Sequence, residues 1–125
     1  MSDPRHLLGQ RAEAAAGAWL ERAGWRILAT RHRSTHGGEV DLVARDPTGF
    51  LVAVEVRARR STRVGQAGTS VDERRVTRLR RTLATYAADS ATPYRGLRVD
   101  LVTVEPVPGP PGHWRLRRMA GIGDG

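Results

Sequence analysis

The chain has 125 residues, no cysteine, 39% hydrophobic residues and a formal net charge of +8. That length suits one domain around one core, and the lack of cysteine excludes disulfides, zinc–thiolate sites and thiol catalysis. No run approaches the roughly 18 apolar residues of a membrane helix, and Met1–Arg5 lacks the apolar segment of a signal peptide. The expected setting is cytoplasmic, with no membrane partner.

All 21 basic residues are arginine. Arginine suits bidentate phosphate binding, but the total absence of lysine reads more simply as genome-wide codon bias. The excess positive charge makes nucleic acid the leading partner class.

Residues 5–23 predict a helix, because Leu8, Ala12, Ala15, Ala16, Trp19 and Ala23 recur at helical spacing. Gly24 follows where glycine ends helices. Glu13 lies beside the apolar stripe, one turn from Gly9 and Gly17. Residues 25–30 predict a strand and residues 31–38 a polar loop. That loop carries His32 and His36, which lack the further ligands zinc would need. A hairpin of residues 39–46 and 50–58 comes next, then a basic, glycine-containing loop over 59–69. A second helix is expected to begin near Ser70, since Ser70 and Glu73 have capping-box spacing. Its apolar side is Val76, Leu79, Leu83, Tyr86 and Ala87, and Arg74, Arg78 and Arg81 form a basic stripe. A turn at 93–96 leads to a strand over 97–104, on which Arg98 and Asp100 share a face as a local ion pair. After a proline-rich loop at 106–112, residues 113–119 are a candidate last strand, and 120–125 are expected to be mobile. The order αβββαβ, with an optional final strand, implies a single α/β or α+β layered domain.

The hairpin carries charge where apolar residues are expected. Glu39 and Asp41 share one face of the first strand, and Glu55 and Arg57 one face of the second. The link Asp46-Pro47-Thr48-Gly49 has type I turn preferences, and with Gly49 left-handed it closes a three-residue hairpin loop. In that register Asp46 faces Phe50, so Asp41 lies opposite Glu55 and Glu39 opposite Arg57. Like charges directly opposed are destabilising, and a divalent cation with its preference for carboxylate oxygens would relieve them. The competing reading is a set of solvated strand ion pairs with nearby arginines.

The pattern GGEVDLV, about ten residues, then VAVEVR resembles the PD-(D/E)XK nuclease motif, and more closely the YraN-like family of bacterial proteins. The resemblance spans roughly residues 9–105, from Gly9 and Glu13 through the segment around Arg75 to the Arg98–Asp100 strand. It implies a restriction-endonuclease-like αβββαβ core, with a central mixed sheet flanked by helices. The related Holliday-junction resolvases imply cleavage of structured or branched DNA with Mg²⁺ or Mn²⁺. Asp41 and Glu55 then match the metal-binding acids, and Glu13 matches the helical glutamate near the metal. Arg57 stands where the wider superfamily has lysine, completing a catalytic set of Glu13, Asp41, Glu55 and Arg57. Arginine can hold a phosphate but stays protonated and cannot act as a base. Glu39 is expected to support the site as a partner of Arg57. Arg59, Arg60, Arg63, Arg74, Arg75 and Arg78 are candidate nucleic-acid contacts, with DNA favoured over RNA. Resolvase-like enzymes are often homodimers, because two symmetric cuts need two sites. The alternative is a catalytically weak or inactive nucleic-acid-binding module on the nuclease fold.

Overall fold

The structure is a computed structural model that describes residues 4–59 and 72–123. Among the described residues, seven elements follow in chain order: α1 (Pro4–Arg22), β1 (Arg26–Arg33), β2 (Glu39–Arg45), β3 (Leu51–Ala58), α2 (Glu73–Ser90), β4 (Leu97–Pro106) and β5 (Trp114–Met119). The optional last strand is therefore formed. Strand order in the single sheet is β1-β2-β3-β4-β5. Every neighbouring pair is antiparallel except β3 and β4, which are parallel, so α2 serves as the crossover that parallel strands require.

Each helix covers one face of this mixed sheet. Ala12, Ala16 and Leu20 of α1 pack on Leu42, Ala44, Val52, Val54, Val102 and Val104. Val76, Leu79, Leu83 and Ala87 of α2 pack on the other face, against Val40, Val43, Leu51, Ala53 and Val99. The parallel strands β3 and β4 are buried on both sides over most of their length, which explains their continuous apolar runs. This α/β layering is consistent with a restriction-endonuclease-like core. Among the described residues, no helix is long and apolar enough to cross a membrane.

The helix ends follow local chemistry. The amide of Trp25 donates to Leu20 O at 3.0 Å, and Gly24 sits at φ +92°, a left-handed stop that glycine permits. α2 begins at a different cap from the one expected. The Asp72 carboxylate accepts from the Arg75 amide at 2.9 Å, so Asp72 is the N-cap, and Ser70 lies outside the described residues. Aspartate and serine are comparable caps. The hydrophobic stripe from Val76 sets which of them is used.

One further expectation is corrected. Residues 31–33 belong to β1 rather than to a loop, and His32 packs edge-on against Tyr86 of α2 with ring centroids 5.0 Å apart. Beyond β5, the Gly121 amide donates to Asp100 Oδ1 at 3.0 Å and the Ile122 amide to Val99 O at 2.9 Å. Ile122 also packs into the α2-side core.

Candidate functional site

The Asp46–Gly49 turn sets the register of the hairpin. Asp46 Oδ1 accepts from the Thr48 amide, the Thr48 hydroxyl and the Phe50 amide at 2.8–3.0 Å. The Gly49 amide closes the turn on Asp46 O at 3.0 Å, and Gly49 has φ +96°. Pairing then runs Arg45–Leu51, Ala44–Val52, Val43–Ala53 and Leu42–Val54. The next step of that count sets Asp41 against Glu55, as the turn residues implied.

At that step the sheet forks. β2 stays with β1 through His32–Val40 and Arg33–Glu39, and β3 stays with β4 through Ala58–Val104. Between them the ladder gives way to a side chain: Asp41 Oδ2 accepts from the Val56 amide at 2.8 Å. The acid thereby satisfies a backbone donor that the departing strand leaves behind. Arg75 of α2 donates through Nε to Glu55, whose side chain is only 4% exposed.

The two carboxyls share a hydrogen bond. Burial, that bond and the negative charges of Glu55 and Glu13 push Asp41 from its ordinary value of 3.8 up to about 7, against the opposing effect of the Val56 amide. Burial also opposes ionisation of Glu55. The hydrogen bonds from Arg75 and Asp41 and the charges of Arg75 and Arg57 outweigh it and hold Glu55 below its usual range. The pair therefore behaves as two acids that cannot both ionise cheaply, with Glu55 the charged member.

A cleft of about 450 Å³ opens beside the pair, with Gly38, Glu39 and Asp41 on one wall and Arg75, Arg78 and Thr82 on the other. One wall offers carboxylates, the other guanidinium groups. Among the described residues, no three acidic or histidine side chains cluster tightly enough to enclose an ion. Mg²⁺ does not need such a cage, since it is commonly held by one or two carboxylates with water and substrate phosphate. The donor set of Asp41 and Glu55 fits that mode.

The remaining candidates divide around this centre. Glu13 accepts from Arg31 Nε at 2.9 Å, so its direct partner is a cation, although its charge still acts on Asp41. Glu39 pairs with Arg33 at 3.2 Å, where the sequence pointed to Arg57. The reason is the fork, which leaves the Glu39 end of β2 beside β1. Arg57 contributes positive charge to Glu55. Arg74 and Arg78 are exposed on α2. Arg59 ends β3 with its amide on Val104 O at 2.8 Å, and its Nε and Nη2 are enclosed without a hydrogen-bond partner among the described residues. Arg60 and Arg63 lie outside the described residues.

Two participants were not legible in the sequence. The Val56 amide becomes a ligand of Asp41 only because the strands part. Arg31 has φ +47°, a left-handed conformation that costs a non-glycine residue about 1–2 kcal/mol, and no sequence signal marks it. Arg98 and Asp100 do form the expected ion pair, at 2.8 and 3.1 Å, extended by Arg98 to Asp46 and Arg118 to Asp100, both at 2.9 Å.

The fork-forming motifs lie within residues 12–104, the stretch matched by the model of Uncharacterised protein family UPF0102. A UPF0102 protein of Symbiobacterium thermophilum is 40% identical over 110 residues, covering 88% of this chain and 90% of the relative. One from Beutenbergia cavernae is 36% identical over 119 residues, covering 95% and 98%. A third, from Bordetella avium, is 41% identical over 103 residues, covering 82% and 70%. With the hairpin and crossover helix inside the matched span, and most of α1 and β4 with them, the chain belongs to the UPF0102 family.

Proposed function

We propose that this protein is a metal-dependent endonuclease-like protein that binds nucleic acid across the fork between β2 and β3 and hydrolyses a phosphodiester there, with structured or branched DNA as the preferred substrate. The observation that carries this reading is the abutting Asp41–Glu55 pair, with Asp41 pushed up to about 7. A protein that only bound a polyanion would gain nothing from a buried and a half-buried acid set against each other.

Asp41 and Glu55 would hold Mg²⁺ or Mn²⁺. Such an ion polarises the phosphate and lowers the pKa of bound water. The chain's own groups do the rest. The Val56 amide fixes the Asp41 carboxylate, and Arg75 fixes Glu55. Arg78 lines the same cleft as Asp41 and would meet the phosphate there, and Arg57 would add positive charge where negative charge builds up on the non-bridging oxygens. Burial and Glu55 do most to raise Asp41, and the charge of Glu13 adds a smaller push from the α1 side.

A binding module with little or no catalysis is the second reading. Two facts favour it: Arg57 cannot accept a proton at any ordinary pH, and Arg75 already occupies Glu55. Cleavage of four-way, flap and linear DNA in Mg²⁺, Mn²⁺ or EDTA, beside Asp41→Asn, separates the two. The enzyme predicts metal-dependent products that fall at least a hundredfold in the variant. Retained binding without products in any metal sinks the enzyme and leaves the module. Absence of DNA and RNA binding at low salt sinks both.

A further inference from the structure

Arg31 occupies the level of β1 that adjoins Asp41, because Thr30 pairs with Leu42 and His32 with Val40. Along a regular strand, side chains alternate between faces. The left-handed φ of +47° interrupts that alternation. Thr30 and Arg31 both border the cleft that holds Glu13, on the α1 side, and His32 then packs on Tyr86 of α2. The backbone kink is thus what carries the guanidinium from the Asp41 face to the Glu13 face.

There, Nε donates to Glu13 Oε2 at 2.9 Å, and the Arg31 side chain is 43% exposed. Among the described residues its terminal amino groups make no other hydrogen bond. The carboxylates of Glu39 and Asp41 also act on it. An ion pair whose arginine is 43% exposed and whose glutamate is 22% exposed repays little, and arginine is a poor choice for a left-handed position. A stability role therefore accounts badly for the residue, whereas a partly exposed guanidinium anchored through Nε suits a phosphate.

We propose that Arg31 is a contact to the phosphodiester backbone of nucleic acid entering the fork, with Glu13 as the positioning residue that aims it. This rests on the nucleic-acid reading above and adds the residue on the α1 side that would grip the strand. Arg31 borders the cleft on the α1 side and Arg78 the one on the α2 side, so the two would grip different stretches of one backbone on either side of the acids.

The test uses the full chain in EDTA, with a fluorescein-labelled four-way DNA junction followed by anisotropy across a salt series. Arg31→Gly removes the guanidinium and accommodates the left-handed backbone. It should bind about tenfold more weakly, with a log K against log salt slope shallower by about one, and melt no lower than the wild type. A structural ion pair predicts the reverse, a lowered melting temperature with an unchanged slope, and would overturn the proposal. Should Arg31→Gly fail to fold, Arg31→Asn tolerates the same backbone and gives the same comparison. Binding within twofold of wild type with the same slope defeats the role of Arg31 and leaves the nucleic-acid reading standing. A wild-type protein that binds neither DNA nor RNA defeats both.

Discussion

Asp41 is where one side chain couples the fold to its chemistry. An acid whose pKa is raised on folding holds its proton more tightly in the native state. The folded state is then penalised as pH rises, not at all below about 4 and fully above about 7, the ordinary and native values. Asparagine at this position mimics the protonated acid: it can still accept from the Val56 amide and can donate to Glu55. Asp41→Asn should therefore raise the melting temperature by several degrees at pH 8 and lose most of that advantage by pH 4.5. Melts at the two pH values check it, and an equal difference at both would remove the proton from the explanation. The opposition of Asp41 and Glu55 was legible because Asp46, Pro47 and Gly49 specify one turn, and one turn specifies one register. The Arg75–Glu55 bond was not, since it depends on how a helix docks rather than on anything local to either residue. The sign of φ at Arg31 was equally hidden, because arginine carries no preference for it.

At the level of elements, the position of α2 over the fork is set by a close approach. A Cβ built on Gly38 would overlap the hydroxyl of Thr82, so the turn between β1 and β2 rests directly on the helix that carries Arg75 and Arg78. Gly38→Ala should cost about 1–3 kcal/mol of stability, read by urea denaturation. Adding Thr82→Ala should recover a large part of the loss. Strictly additive effects would mean that the two do not press on each other. The apolar periodicity of α1 and α2 and the alternation of the hairpin made these elements readable. Where a boundary was misplaced, a tertiary contact decided it. β1 continues to Arg33 alongside β2, with His32 against Tyr86, and no local signal in Arg31–Arg33 competes with that packing.

For the molecule as a whole, the fully buried Asp100 ties together parts distant in sequence. Arg98 and Arg118 both donate to it, Arg98 reaches on to Asp46 in the hairpin turn, and the Gly121 amide closes the C-terminal segment over it. The aromatic faces of Trp25 and Phe50 flank Arg98, at 5.8 and 5.5 Å from its guanidinium carbon. Asp100→Asn removes the charge that both arginines share and should cost about 3 kcal/mol, with faster tryptic cutting after Arg117 and Arg118. An unchanged denaturation midpoint would show that the aromatic packing alone holds this end. The Arg98–Asp100 pair was visible from strand alternation, but its extension to Arg118 and Gly121 needed the last strand to be formed and paired.

The sequence of strands across the sheet repeats their sequence along the chain. Each strand emerging from a ribosome therefore meets a neighbour that is already made, and the hairpin that opposes Asp41 to Glu55 is complete before Arg75 has been translated. For that interval the nascent chain carries two facing acids without the arginine that bonds Glu55, and Arg57, Arg31, a proton or a cellular cation must supply the counter-charge. The site is assembled as an acid pair first and acquires the Arg75 guanidinium afterwards.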